Sequence, residues 1–189
     1  MNYLREFITQ PAAVGAIMPS SRFVAETIVA DAGLQEADAV LEYGPGTGVF
    51  TEFILRDLKP GAKFAAIELN SRFAELFQSR YPRVPLFQDS VANVRRICDS
   101  AGMESVDSIV SGVPWATFSA SLQVQCFDAM MRVLKPGGRF VTFTYVHSQA
   151  ILPGAKRLSK LLPKYFQNVS KSPVVWRNLP PAFVYRCRR

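Results

Sequence analysis

At 189 residues, 49% apolar and 12% aromatic, the chain suffices for one well-packed domain and is too short for two comfortable ones. No apolar run reaches the roughly 18–20 residues that cross a bilayer, and Arg5, Glu6 and Gln10 interrupt the N-terminus too early for a secretory signal. The net charge of +7 is segregated: residues 1–128 hold all 15 acids and 10 bases, residues 129–189 hold 12 bases and no acid.

Tyr3, Leu4, Phe7 and Ile8 make one apolar stripe on a short helix that closes before Pro11. "VGAIMPSS" (14–21) reads as an extended loop, and Pro19-Ser20-Ser21 opens a helix carrying Phe23, Val24, Ile28 and Val29 inward. Apolar strands then alternate with amphipathic helices. Strand 39–43 leads to a helix near 48–58, and strand 63–68 to a helix near 71–80. Strand 84–89 leads to a helix near 91–99, and strand 107–112 to a helix near 119–134. "LKPGG" (134–138) reads as a turn into a fifth strand, 139–145. A short helix near 155–162, cut short by Pro163, precedes two β-rich runs, 166–176 and 182–188, which read as a hairpin on the sheet edge.

This order predicts an α/β fold, a doubly wound and mostly parallel sheet with a C-terminal antiparallel β-hairpin and an N-terminal helical cap. The whole chain, 1–189, reads as one domain, with residues 1–33 as a cap and membrane or lid segment and 38–189 as the core. Cys98, Cys126 and Cys187 are odd in number and show no metal-type spacing; no metal is expected, and the cysteines read as reduced thiols of a cytoplasmic protein.

Chemistry concentrates at the strand ends. "EYGPGTG" (42–48) follows a strand and opens a helix, so Gly44, Gly46 and Gly48 let backbone approach a ligand while the helix N-terminus favours a negative group. Its spacing fits neither the dinucleotide G-x-G-x-x-G pattern nor a P-loop. Glu68 closes the second strand, where a carboxylate would hold ribose hydroxyls. Asp89 and Ser90 close the third, placed to meet an adenine edge or simply to cap the next helix.

"LEYGPGTG", "AIELN", "FQDS", "SGVPW", "LKPGGRFV" and the terminal hairpin together resemble the S-adenosylmethionine-dependent methyltransferases of the Rossmann-like class I. The resemblance implies that Glu42, Tyr43 and Gly44 to Gly48, with Thr47, take the methionine end of the cofactor. It gives Glu68 and Leu69 the ribose, and Asp89 and Ser90 the adenine, with Ser111 nearby. "VGAIMPSS" and "NLPPAFVYRC" add a closer resemblance, to the bacterial phospholipid N-methyltransferases, which methylate phosphatidylethanolamine towards phosphatidylcholine. It implies a phospholipid substrate, a peripheral position on the inner face of the cell membrane, and Met18, Pro19, Ser20 and Ser21 beside the cofactor. The related ribosomal RNA adenine dimethyltransferases share the core but carry Asn-Leu-Pro-Tyr where this sequence has Gly112-Val113-Pro114-Trp115, and they continue into a helical domain for which this chain is expected to have no room.

That difference bears on the acceptor. An adenine amino group shares its lone pair with its ring and needs polar acceptors around it, whereas an aliphatic amine, with a pKa near 10, needs only deprotonation and alignment. Gly112 thus points to an aliphatic amine, with Trp115 as an aromatic face for its cationic head, unless Pro114-Trp115 merely shapes a loop and fills core. For the general base, His147, Tyr3, Tyr185 and a water stand as equals. Charge segregation points to a polyanionic partner, an anionic membrane surface or a nucleic acid, or to a solvated basic face. Leu158, Leu161, Leu162 and Tyr165, ringed by Lys156, Arg157, Lys160 and Lys164, suit shallow docking on anionic lipid, or an ordinary helix packed on the sheet. An RNA, small-molecule or protein amine methyltransferase, and a non-catalytic cofactor-binding domain, remain the alternatives.

Overall fold

Strands without polar alternation bury both faces. Ala39–Tyr43 (β1) is buried at every position and Lys63–Glu68 (β2) at all but its first. In the computed structural model, which describes residues 21–189, these two are adjacent inner strands of a seven-stranded sheet. The expected N-terminal helix, with Tyr3, and the stretch holding Met18, Pro19 and Ser20 lie outside the described residues. Ser21 caps Arg22–Ala30 (α1), accepting from the Val24 amide as an N-cap serine does.

The remaining elements follow in order: Val49–Asp57 (α2), Ser71–Arg80 (α3), Leu86–Gln88 (β3), Val94–Ser100 (α4), Val106–Ser111 (β4), Ala120–Met131 (α5) and Leu134–Tyr145 (β5). Val146–Ile151 (α6), Pro153–Tyr165 (α7), Asn168–Lys171 (β6) and Ala182–Arg188 (β7) complete the fold. Sheet order is β3-β2-β1-β4-β5-β7-β6. The first five strands are parallel, and β7 runs antiparallel between β5 and the short edge strand β6. The hairpin therefore forms as expected, with its longer strand inside the sheet.

Helices cover both faces. On one, Val24, Ile28, Phe50, Ile54 and Phe77 pack from α1, α2 and α3. On the other, Ile97, Phe127, Leu158 and Leu162 pack from α4, α5 and α7 around Phe140.

Several boundaries differ from the sequence reading: the helix Val146–Ile151 is not expected from it, and β6 covers only Asn168–Lys171 of the run 166–176. β3 is only Leu86–Gln88, and a 3-10 turn at Val91–Asn93 precedes α4. "LKPGG" does not separate a turn from a strand: Leu134 pairs with Val106 and pairing resumes at Arg139 with Ser108, leaving a bulge between them. Gly137 N–H and Arg189 N–H tie that bulge to the end of β7, donating to Arg189 C=O at 2.8 Å and Gly138 C=O at 3.0 Å. Finally, α7 runs through exposed Pro163 to Tyr165. The proline falls in the last turn, where its missing N–H costs one bond and the Phe166 amide still closes on Leu162 C=O at 3.0 Å.

Candidate functional site

Strand register brings the site together. Tyr43 pairs with Ile67 on one side and Ser111 on the other, so Gly44, Glu68 and Gly112 follow in one row at the carboxyl edge. Gly44 N–H donates to Ile67 C=O (2.8 Å) and Gly112 N–H to Tyr43 C=O (2.7 Å), carrying the ladder one residue beyond the strands. Strand order reverses between β1 and β4, and the crevice at such a switch point is where open α/β sheets bind ligands.

The glycine turn is shaped for a ligand on one side and for packing on the other. Gly48 has φ +84°, and an added Cβ there would strike the Tyr81 ring at 2.2 Å. At Gly46, φ +56°, an added Cβ would meet nothing within 4 Å, which leaves an open cradle over the start of α2. Gly48 caps α2 without a side-chain hydrogen bond, so first-turn amides of that helix lack a side-chain partner.

Glu42 lies beneath this turn, fully buried. Thr51 Oγ1 donates to its Oε2 at 2.6 Å, while Oε1 has no partner. Burial pushes its carboxyl up to about 8; the Thr51 hydrogen bond opposes the shift and the charge of Glu68 adds to it. An orphaned carboxylate oxygen in a dry site fits a cationic ligand group. Glu68 is 8% exposed; its Oε2 accepts from Gly46 N–H (3.1 Å) and its Oε1 from Asn70 N–H (2.9 Å). Burial raises its carboxyl, and the amides of Asn70, Gly46 and Leu69 restrain the rise. One carboxylate thus clamps the glycine turn to the end of β2, with lone pairs left for hydroxyl donors. Asp89 and Ser90, at the end of β3, both act as caps: Asp89 Oδ1 accepts from Ser90 N–H (2.7 Å) and Asn93 Nδ2 (2.8 Å), Ser90 Oγ from Ala92 N–H (3.2 Å). Arg96 pairs with the other Asp89 oxygen.

Several expected site side chains point elsewhere. Tyr43 is buried in the core with its hydroxyl unpartnered, so only its backbone borders the crevice. Ser111 Oγ is consumed by the Trp115 indole N–H at 2.9 Å. Trp115 itself is 1% exposed and stacks on Phe127 with centroids 4.7 Å apart, so it offers no face to a head group and serves as core. Tyr185 is also buried; its hydroxyl donates to Gln149 Oε1 at 3.0 Å and burial pushes it up to about 12, which removes it as a base near neutral pH. Gly112 has a structural cause too: an added Cβ would sit 2.7 Å from Gly44 C=O, so the two loops approach because neither carries a side chain there. Val113 closes over Gly44, with Cγ1 2.8 Å from a Cβ built at that glycine, and Pro114 caps the 3-10 turn Trp115–Thr117.

His147 is exposed on the first turn of α6, just past β5. Its ring stacks on Tyr145 (5.6 Å), which meets Phe143 edge-on (5.5 Å), which meets Phe50 edge-on (5.7 Å). Phe50 Cε2 lies 3.4 Å from a Cβ built at Gly112. An aromatic row therefore runs from Gly112 to the rim, and sequence reading missed it. Its signal was present: Phe143 and Tyr145 fall two apart in "RFVTFTY" and share a sheet face. Gln123 was also missed. Buried on α5, its amide donates to Trp115 C=O (2.7 Å) and Gly154 C=O (3.0 Å), locking the loop after β4 to the start of α7.

Comparison with known proteins gives the family. The methyltransferase domain family matches residues 40–138. An ornithine lipid N-methyltransferase from Singulisphaera acidiphila is 29% identical over 98% of this chain and 94% of its own length. A ribosomal RNA small subunit methyltransferase A from Chlorobaculum tepidum is 28% identical over 65% of this chain, which spans 42% of that protein. Among solved structures, an O-methyltransferase from Bacillus cereus in complex with SAH aligns with a TM-score of 0.71 at 17% identity, covering 100% of this chain and 92% of that one.

Proposed function

The chain belongs to the methyltransferase domain family, and we propose that it methylates the aliphatic amine of a membrane lipid, phosphatidylethanolamine and its methylated forms. It is an enzyme using S-adenosylmethionine. The observation that carries the acceptor is Gly112. The position that would hold a polarising Asp or Asn lies against Gly44 C=O and admits no side chain without displacing backbone. An arylamine such as adenine would lack its polar acceptor there, whereas an aliphatic amine needs none.

Glu42 fits the cofactor's ammonium through its unpartnered oxygen, and the Gly46 cradle fits its close approach. Glu68 fits the ribose hydroxyls, and Asp89 with Ser90 the adenine. When bound, S-adenosylmethionine supplies a methyl group on a positively charged sulfur. The chain's task is to present a neutral amine to it. Phe143 and Tyr145, both half-buried, give the arriving ammonium apolar and π contacts, and the buried Phe50 backs them and helps exclude water. His147, exposed at the end of that row, is placed to take the proton directly or through water. Tyr3 lies outside the described residues.

Ornithine lipid is the second reading, favoured by the full-length similarity to an ornithine lipid N-methyltransferase. Its free amine is aliphatic, so the same chemistry applies. Label transfer from methyl-labelled cofactor to phosphatidylethanolamine, ornithine lipid or total RNA decides among them. Label in the ethanolamine lipid supports the proposal, label in ornithine lipid alone moves the head group, and label in RNA alone overturns the lipid acceptor.

A further inference from the structure

The apolar stripe of α7 is spent inside the protein. Leu158 and Leu162 are fully buried, and Leu161 and Tyr165 pack against the same core. The docking role expected for that stripe is therefore corrected: the helix keeps only its basic side for solvent. Large exposed apolar side chains gather elsewhere, at the carboxyl edge beside β5. Ile151 on α6 is 69% exposed, and Trp176 and Leu179 in the β6–β7 loop are 74% and 75% exposed.

These residues share one place in the fold. α6 springs from Tyr145, and Tyr145 pairs with Ala182, where the loop enters β7. Val146 N–H donates to Pro181 C=O at 2.9 Å, joining the two segments. The loop is firmly built. Val175 bridges to Ala182, Asn178 N–H returns to Val175 C=O, and the buried Asn178 amide accepts from Ser21 N–H at 2.9 Å. A surface loop normally turns polar groups outward. Here the polar groups are satisfied inside and Trp and Leu face out.

Charge says what meets them. Lys156, Lys160, Lys171 and Arg177 come from the same region and have no carboxylate partner among the described residues. Near the opposite edge Lys135 pairs with Asp107 and Arg139 with Glu36, whereas Arg188 and Arg189 have no carboxylate partner among the described residues, so it is the exposed apolar side chains that single out the carboxyl edge. Tryptophan and aliphatic side chains ringed by lysine and arginine match the headgroup boundary of an anionic bilayer. The same edge carries the crevice and its aromatic row.

We propose that Trp176 and Leu179, with Ile151 beside them, insert into the headgroup layer of an anionic bilayer and set the crevice against it. This rests on the lipid-acceptor reading for its purpose, though its test does not. The chain has two tryptophans, and Trp115 is buried, so a change in emission on binding reports Trp176. With vesicles of phosphatidylglycerol and phosphatidylcholine, emission should shift to the blue and be quenched by brominated acyl chains, and Trp176→Phe should abolish both signals. The double variant Trp176→Ser/Leu179→Ser should bind these vesicles at least tenfold more weakly with an unchanged melting temperature. It should still methylate aminolipid dispersed in detergent at the wild-type rate. Co-sedimentation with unmoved emission, or wild-type binding by the double variant, overturns the proposal. So does a blue shift with RNA and none with vesicles. If Trp176 inserts but no aminolipid is methylated in either presentation, the docking surface stands and the acceptor reading falls.

Discussion

A buried carboxyl with one oxygen hydrogen-bonded and the other bare is costly in its charged form, and Glu42 accordingly holds its proton to about pH 8. Its folded value lies above its unfolded value of 4.5. The native state therefore binds more protons than the unfolded state between about pH 4.5 and 8, and this group's contribution to stability falls as pH rises through that window. A cation bound at Oε1 favours the carboxylate and expels the proton. Affinity for S-adenosylmethionine should thus rise by up to about tenfold per pH unit towards pH 8. Calorimetry at pH 7 in buffers of different ionisation heat should show about one proton released; buffer-independent heats would remove Glu42 from the ammonium site. On the proposed role of Glu68, Ala substitution deletes charge-assisted bonds to the ribose and frees Gly46, a loss on the order of 2–4 kcal/mol. Affinities for S-adenosylmethionine and its demethylated product should fall together by at least tenfold, and unchanged binding by a folded variant would exclude the assignment. Tyr145→Leu should raise the acceptor KM by a few fold, as expected for losing about 0.5–1 kcal/mol of cation–π contact, with cofactor binding untouched.

At the scale of elements, the loop after β4 is held from behind. Gln123 on α5 donates to Trp115 C=O and Gly154 C=O, and Gly154 lies so close to the loop that an added Cβ would meet Ala116 C=O at 2.0 Å. Gln123→Met keeps the volume and removes both bonds, leaving Trp115 C=O only the Phe118 N–H at 3.2 Å, a cost of about 1–3 kcal/mol in total. The expected outcome is a lower melting temperature and a several-fold loss of turnover with cofactor affinity within twofold of wild type. Equal losses in both would mean that the lock serves the whole fold. This lock was invisible in the sequence because a lone Gln on an amphipathic helix carries no sign of its partners. What was legible came from period: alternating strand and helix patterns place β1 to β5, and the strand ends bring Gly44, Glu68 and Gly112 into one row. What failed came from the same source. A stripe at helical spacing says that a face is buried and not what buries it, so α7 read equally as a membrane face and as core. Trp115 read as a ligand face because a Pro-aromatic pair at a strand end looks alike whether its ring turns out or in. The aromatic row that the structure does show lies on β5, where alternation puts Phe143 and Tyr145 on one side.

For the whole molecule, the segregation of charge along the chain becomes a direction in space. α7 starts beside the carboxyl edge, after α6, and ends next to β6, where Asn168 pairs with Arg188 at the far end of β7. It therefore leads away from the proposed bilayer. Lys156 and Lys164 are eight residues apart on it, about 12 Å at 1.5 Å per residue. A basic side chain near an anionic surface contributes about 1 kcal/mol, and the effect decays over a Debye length of about 8 Å at physiological salt. Lys156→Glu should then weaken binding to phosphatidylglycerol-containing vesicles by roughly tenfold or more at low salt. Lys160→Glu should cost less and Lys164→Glu least, while Arg132→Glu, at the end of α5 away from this edge, should change little. Raising the salt should compress the series towards equality, because screening removes the near charges' advantage. Sedimentation of the variants against vesicles of fixed composition measures the gradient. Equal losses at Lys156 and Lys164 would lay α7 flat along the bilayer, and a larger loss at Lys164 would put the opposite edge of the sheet on the membrane and leave the crevice facing water.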